Sequence, residues 1–342
     1  MLRRWGLRLP PRARPLPRQL GAVGGFDVRG LSGVAMEPGK AAAAPLRAYV
    51  ILGAGVLVVS TAAIMIRYAH AEGVSSLAIA AWRLTLAALV LLPFTAARAG
   101  AELRRLSWRQ WGLALAAGVF LGIHFASWIL SLEYTSVASS VALVTTNPIW
   151  IALFSWAFLR ERLSARLSGA IALALAGSTA IFLADEVSSA APQPLLGNLL
   201  ALLGSFTVCG YLLIGRKLRA AISLLPYISI VYGCAALCLL VAALAAGIRL
   251  GGYSTLAWAL LAGLALGPQL FGHSAVNYAL KHLSATVVAV AVLGEPIGSS
   301  IFAWLLFDEA IGPVKLAGMG LLLCGIFLAA VSKPGSGRPR SP

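Results

Sequence analysis

Apolar residues in this chain gather into runs of about 20, the length a helix needs to cross the hydrocarbon core of a bilayer. They fall at roughly 48–68, 75–96, 109–131, 137–158, 166–184, 195–215, 224–247, 255–277, 284–307 and 313–332. Turn signals separate them: Glu72-Gly73, Ala99-Gly100, Ser164, Pro192 with Pro194, Gly251-Gly252 and Gly312-Pro313. Ser107 with Gln110 is a capping-box pattern that opens the third run. Pro313 suits the first turn of the tenth. The pattern predicts an all-α integral membrane protein of ten transmembrane helices.

Composition sharpens this reading. The chain is 60% hydrophobic and 11% charged, where a soluble domain carries about 25% charged residues. A soluble chain this apolar could not cover its own surface. The formal charge of +16 would suit a nucleic-acid partner, but the Lys and Arg residues sit between apolar runs, with no basic block interleaved with aromatics. No nucleic-acid partner is expected.

The basic residues also set an orientation. The connections that leave odd-numbered spans hold few of them, Arg67, Arg249 and Lys315, beside the acids Glu72, Glu133, Asp185, Glu186, Asp308 and Glu309. The other side holds Arg98, Arg104, Arg105 and Arg109, then Arg160, Arg162 and Arg166. It continues with Arg216, Lys217 and Arg219, then Lys281 and Lys333. The positive-inside rule then puts both termini in the cytoplasm. A cell (inner) membrane is the expected compartment.

Residues 1–45 read as a basic leader, with six arginines before the first acid, Asp27. Prolines at 10, 11, 15 and 17 prevent a long helix there. An Arg-rich, acid-poor start fits an organellar presequence, but serine is scarce and no amphipathic period survives the prolines. A disordered leader or an over-extended start, with Met36 as the alternative initiator, is the preferred expectation. Residues 333–342 are expected to form a cytoplasmic tail.

The four cysteines, Cys209, Cys234, Cys238 and Cys324, all lie in apolar runs. Cys234 and Cys238 share a helical face, but no His or further Cys accompanies them, so no metal site is expected. Small, buried, inert cysteines are the expectation.

The strongest organising signal is an internal repeat. A shift of 148 residues places Pro148 on Pro296, Trp156 on Trp304, Glu161 on Glu309, Gly177 on Gly325 and Ser136 on Ser284. Each copy, 46–185 and 194–332, holds five spans. An odd number forces the second copy to enter the membrane upside down. Inverted halves that exchange conformations open a central site first to one side and then to the other.

At this point the chain resembles the EamA type of the drug/metabolite transporter superfamily, over about 46–332. The resemblance rests on Trp82-Arg83 in the second span and Asn147-Pro148 followed by Phe158-Leu159-Arg160-Glu161-Arg162-Leu163. In the second half it rests on Gly294-Glu295-Pro296 followed by Leu305-Leu306-Phe307-Asp308-Glu309. It implies ten helices around a central cavity and carriage of a small metabolite, such as an amino acid or a drug.

Polar groups inside a bilayer are costly: an Arg or Asp at a helix centre costs about 2.5–3.5 kcal/mol on insertion scales. Arg83 could bind an anionic substrate through its fork of donors, or pair with a carboxylate and lock the bundle. Glu295 could hold a cationic group, exchange a proton, or accept from freed backbone near Pro296. Asn147 stands at the position equivalent to Glu295. Pro148 and Pro296 are expected to bend or break their helices, as packing kinks or as openings that expose carbonyls to a cavity. His124 with Trp128 and His273 with Asn277 form i, i+4 pairs that either line a cavity or make interhelical hydrogen bonds. Trp128 could instead belong to the interfacial aromatic belt. Gly118/Gly122, Gly263/Gly267 and Gly294/Gly298 permit close helix contact, and Glu161 and Glu309 are expected to work structurally at span ends.

Rival classes find little support. No His-Glu-x-x-His and no P-loop is present, and Gly272-His273-Ser274-Ala275 lacks the final glycine of an intramembrane serine protease setting. A channel would show a filter loop or rings of charge. The expected partners are a small-molecule substrate and the lipid bilayer. Proton coupling and a homodimer stay open, and no cofactor is called for.

Overall fold

A computed structural model describes residues 46–147, 149–150, 153, 165–187, 192–283, 288, 291–292, 294–308 and 311–331. These residues are helical with short turns, and no strand occurs among them. In chain order the helices are α1 (Leu46–Val59), α2 (Ala62–Ala71), α3 (Ser76–Arg98), α4 (Gly100–Arg105) and α5 (Trp108–Tyr134). They continue with α6 (Val137–Val144), α7 (Ala165–Val187), α8 (Pro194–Arg219), α9 (Leu224–Ala245) and α10 (Thr255–Leu264). A π-helical stretch, Ala265–His273, joins α10 to α11 (Ser274–His282); α12 (Gly294–Phe307) and α13 (Pro313–Val331) follow.

Six helical stretches are long and apolar enough to cross a membrane, of 26, 23, 27, 26, 22 and 28 residues. They begin at Leu46, Ser76, Trp108, Pro194, Leu224 and Thr255. Two shorter apolar helices cover Ser168–Ile181 and Pro313–Leu328. The fourth and ninth expected spans lie partly outside the described residues. So do Pro148, Trp156, Glu161, Ser284, Glu309, the leader 1–45 and the tail.

Local chemistry sets the helix starts. Ser107 accepts from the Gln110 amide while the Gln110 side chain accepts from the Ser107 amide, so the expected capping box forms. Ser254 and Ser136 cap α10 and α6 through their hydroxyls, which accept from the Ala257 and Ser139 amides. Pro313 opens α13, where a missing N–H leaves no bond unmade.

The first span is broken at Ser60–Thr61. Both hydroxyls bond back to carbonyls of the preceding turn, Ser60 Oγ to Val56 O at 2.9 Å and Thr61 Oγ1 to Val58 O at 2.7 Å. Such back-bonding bends helices. Ser299 Oγ of α12 donates to the Ser60 carbonyl at 3.0 Å, so a neighbouring helix satisfies the irregular backbone. A second irregularity, the π segment, contains Pro268, which has no N–H to close the regular ladder. Pro296 occupies the third position of α12, inside its first turn.

The repeat is visible in the packing of α7 on α13. A Cβ at Gly177 would lie 2.4 Å from the Leu322 nitrogen and 2.6 Å from the Gly318 oxygen. A Cβ at Gly325 would lie 2.6 Å from the Ala174 nitrogen and 2.7 Å from the Ala170 oxygen. These contacts interchange under the 148-residue shift, residue for residue and atom for atom. A two-fold axis therefore passes between α7 and α13. The early residues of one helix meet the late residues of the other, so the pair is antiparallel and the axis runs across the helices rather than along them. Thr95 at the end of α3 meets Ser229 near the start of α9 at 2.6 Å, which makes that repeat-related pair antiparallel as well.

The cysteine expectation needs correction. Cys209 is buried, but Cys234 is half-buried and Cys238 and Cys324 are exposed. An apolar span presents one side to lipid, and a small weakly polar side chain is as well accommodated there as in the core.

Candidate functional site

The helices enclose a cavity near the middle of the bundle, with about 640 Å³ of empty space counting the part open to the exterior. Five of the singled-out residues line it: His124, Trp128, Asn147, His273 and Glu295. Tyr211 and Thr145 complete its polar wall, and the apolar wall is mostly valine, Val56, Val144, Val208, Val276 and Val292 among them.

Two of the polar side chains, His124 and Tyr211, are held by hydrogen bonds from other helices. His124 Nδ1 is 2.9 Å from the Gly204 carbonyl of α8. A side chain at Gly204 would press on Trp128 Cβ at 3.3 Å, so the glycine lets α5 and α8 come close enough for that bond. His124 stacks on Trp128 at an interplanar angle of 10°. Trp128 is 2% exposed, which takes it out of the interfacial belt and into the cavity wall. Phe125 packs edge-on against His273, with ring centroids 5.2 Å apart. These two positions are related by the 148-residue shift, so the rings meet across the two-fold.

Arg83 and Asn277 sit one layer behind the wall. Arg83 has no exposed surface. Its Nε donates to Gln269 Oε1 at 2.9 Å, and its guanidinium lies 4.2 Å from the Phe125 ring centroid. Both Nη atoms are buried without a hydrogen-bond partner. Glu295 is within electrostatic reach of Arg83, yet no ion pair within 4.0 Å joins them. The two charges share a neighbourhood and do not touch. Asn277 Nδ2 donates to the Tyr211 hydroxyl at 2.5 Å and to the His273 carbonyl at 2.9 Å, which positions two wall residues from behind.

Sequence reasoning passed over Gln269, Tyr211, Phe125 and Thr145. For Gln269 the signal was available: it precedes His273 and Asn277 by i, i+4 steps on one helical face. Tyr211, a lone phenol in the sixth span, deserved the same notice. Phe125 and Thr145 carry no mark in the sequence that separates them from core residues.

A second polar cluster ties the other end of the bundle. Ser76 Oγ donates to Glu133, and His70 Nε2 lies 2.9 Å from Ser76 Oγ and 3.4 Å from Glu133 Oε1. Arg67 Nη2 donates to the Thr135 carbonyl at 2.7 Å, and Thr135 Oγ1 to Asn198 Oδ1 at 2.8 Å. Lys315 Nζ donates to Ser136 Oγ at 2.7 Å. These bonds join α2, α3, α5, α8 and α13 at the acidic ends of their spans. Among the described residues no cluster of His, Cys, Asp and Glu could hold a metal.

The model of the EamA-like transporter family matches residues 46–183 and again 195–331. The chain belongs to the EamA-like transporter family. Its two matched segments correspond to the two packed halves, and with its apolar helices they make it a multi-pass membrane protein of a family that transports small substrates. No curated protein matches the chain. Among solved structures it is similar to a crystal structure described only as that of a protein, with TM-score 0.60 and 18% identity over 83% of this chain and 96% of the other. That likeness is one of fold.

Proposed function

We propose that this EamA-like protein is a secondary transporter that moves a small metabolite by alternating access, in the direction of export. In this reading ten helices, five in 46–185 and five in 194–332, span the cell (inner) membrane with both termini in the cytoplasm. The observation that carries it is where the cavity lies. Asn147 and Glu295, equivalent under the repeat, both line it, so it sits on the two-fold that relates the halves. A site on such an axis is the one place that both halves can expose in turn.

The walls suit a molecule with an apolar body and one hydrogen-bond-donating end. Valines take the body; the Glu295 carboxylate and the Asn147 amide oxygen accept from the end. Glu295, facing the cavity with Arg83 behind it, is the group through which a proton would couple to transport.

Solute counterflow in proteoliposomes, screened with amino acids, nucleosides and cationic drugs, tests the reading. Counterflow of at least one class is expected. Ungated conductance without counterflow would identify a channel instead. Glu295→Gln is expected to flatten the pH dependence of flux; full activity with an unchanged pH profile would remove the proton from the mechanism.

A further inference from the structure

The internal two-fold and the cavity wall together specify which residues face the substrate in the conformation not captured here. This step rests on the alternating-access reading above. If the halves exchange conformations, each wall residue hands its place to the residue 148 positions away. Three repeat-related pairs are already on the wall together: Trp128 with Val276, Val144 with Val292, and Asn147 with Glu295. Exchange returns each pair to itself.

The other eight wall positions change hands, five of them as follows. Val208 passes its place to Ser60, Tyr211 to Ala63 and His273 to Phe125. From the first half, Val59 passes its place to Thr207 and His124 to Gly272. All five incoming residues are buried in the present conformation. Ser60 and Thr207 spend their hydroxyls on carbonyls of their own helices, Ser60 on Val56 and Thr207 on Leu203, bonds that need no partner helix and leave the oxygens able to turn toward a ligand.

We propose that Trp128, Val144, Asn147, Val276, Val292 and Glu295 form the substrate site in both access states, and that His124, Tyr211 and His273 face the substrate only in the state seen here. In the opposite state Ser60, Phe125 and Thr207 take over. The substrate keeps its acceptor pair and its indole contact throughout the cycle and exchanges two imidazoles, a phenol and the Thr145 hydroxyl for a phenyl ring and the hydroxyls of Ser60 and Thr207. The break at Ser60–Thr61 gains a role: it places Ser60 where the cavity opens next.

Labelling of single cysteines in the full-length chain tests this, with Cys209, Cys234, Cys238 and Cys324 replaced. All five substitutions are small: Val208→Cys, Val59→Cys, Ser60→Cys, Thr207→Cys and Val276→Cys. The protein is reconstituted in oriented vesicles, and a membrane-impermeant cationic methanethiosulfonate is applied to one face or the other. Val208→Cys and Val59→Cys are expected to react at least about tenfold faster from one face, and Ser60→Cys and Thr207→Cys about tenfold faster from the opposite face. Val276→Cys is expected to react from both. If Val276→Cys reacts from both faces while Ser60→Cys and Thr207→Cys stay silent or follow Val208→Cys, the proposed exchange is wrong and alternating access stands. If Val276→Cys reacts from one face only, alternating access falls and the exchange falls with it.

Discussion

At the residue scale, Arg83 is a fully buried cation. A guanidinium without solvent contact needs compensation, and here it comes from Gln269 Oε1 and the face of Phe125. Arg83→Gln removes both, and leaving a buried acceptor unpaired costs about 1–3 kcal/mol. A lower midpoint of thermal unfolding in detergent is expected, and an unchanged midpoint would show that Arg83 is no strut. Arg83→Lys should lose stability too, since an ammonium keeps the charge and loses the planar stacking. That Arg83 would be special was legible from its place inside an apolar run. Its contacts were not, because Gln269 lies 186 positions away in the chain.

At the element scale, small residues decide which helix faces touch. On α7 two glycines make opposite predictions. A side chain at Gly177 would strike backbone atoms of Leu322 and Gly318, which cannot move aside, whereas nothing lies within 4 Å of a Cβ at Gly169. Gly177→Ala should lower the unfolding temperature, while Gly169→Ala should be neutral or raise stability by up to about 1 kcal/mol through helix propensity. Equal effects from the two substitutions would mean that α7 does not pack on α13 in this register. The shift that aligns Gly177 with Gly325 was readable in the chain; that the two glycines serve one crossing was not. Breaks divide in the same way. Prolines drew attention to 148 and 296; the described irregularities lie at Thr145–Thr146, two residues before Pro148, and also at Ser60–Thr61 and in 265–273, where hydroxyl back-bonding and Pro268 act.

At the scale of the whole molecule, the described helices expose many large apolar side chains. Leu237, in the middle of α9, is 64% exposed, with Val241 and Leu244 beside it on the same side. Such a face is at ease only against lipid tails. Leu237→Lys should impair insertion by about 2.5–3.5 kcal/mol, the cost of a cation at a helix centre. Trp108, 79% exposed, is the first residue of α5; a lysine at a helix end can extend to the interface, so Trp108→Lys should insert normally. A translocon insertion assay on the two variants reads the difference directly; equal insertion would place α9 away from lipid.

Hydropathy, loop charge and internal similarity are properties of short windows or of fixed offsets along the chain. The chain alone therefore determined the helical membrane class, the family resemblance and the two-copy organisation. It also picked out the costly polar residues, since burying a polar group in a bilayer marks it wherever it points. Which of them face one another depends on helix rotation and on contacts between residues scores of positions apart. The tertiary structure alone decided that His124 and His273, which the sequence left between cavity lining and interhelical hydrogen bonding, line a single cavity. It decided too that Arg83 stands behind that wall rather than in it. The reason is packing: close approach at glycines such as Gly204 and Gly272 sets the rotation of each helix, and the rotation chooses which side chains meet on the two-fold.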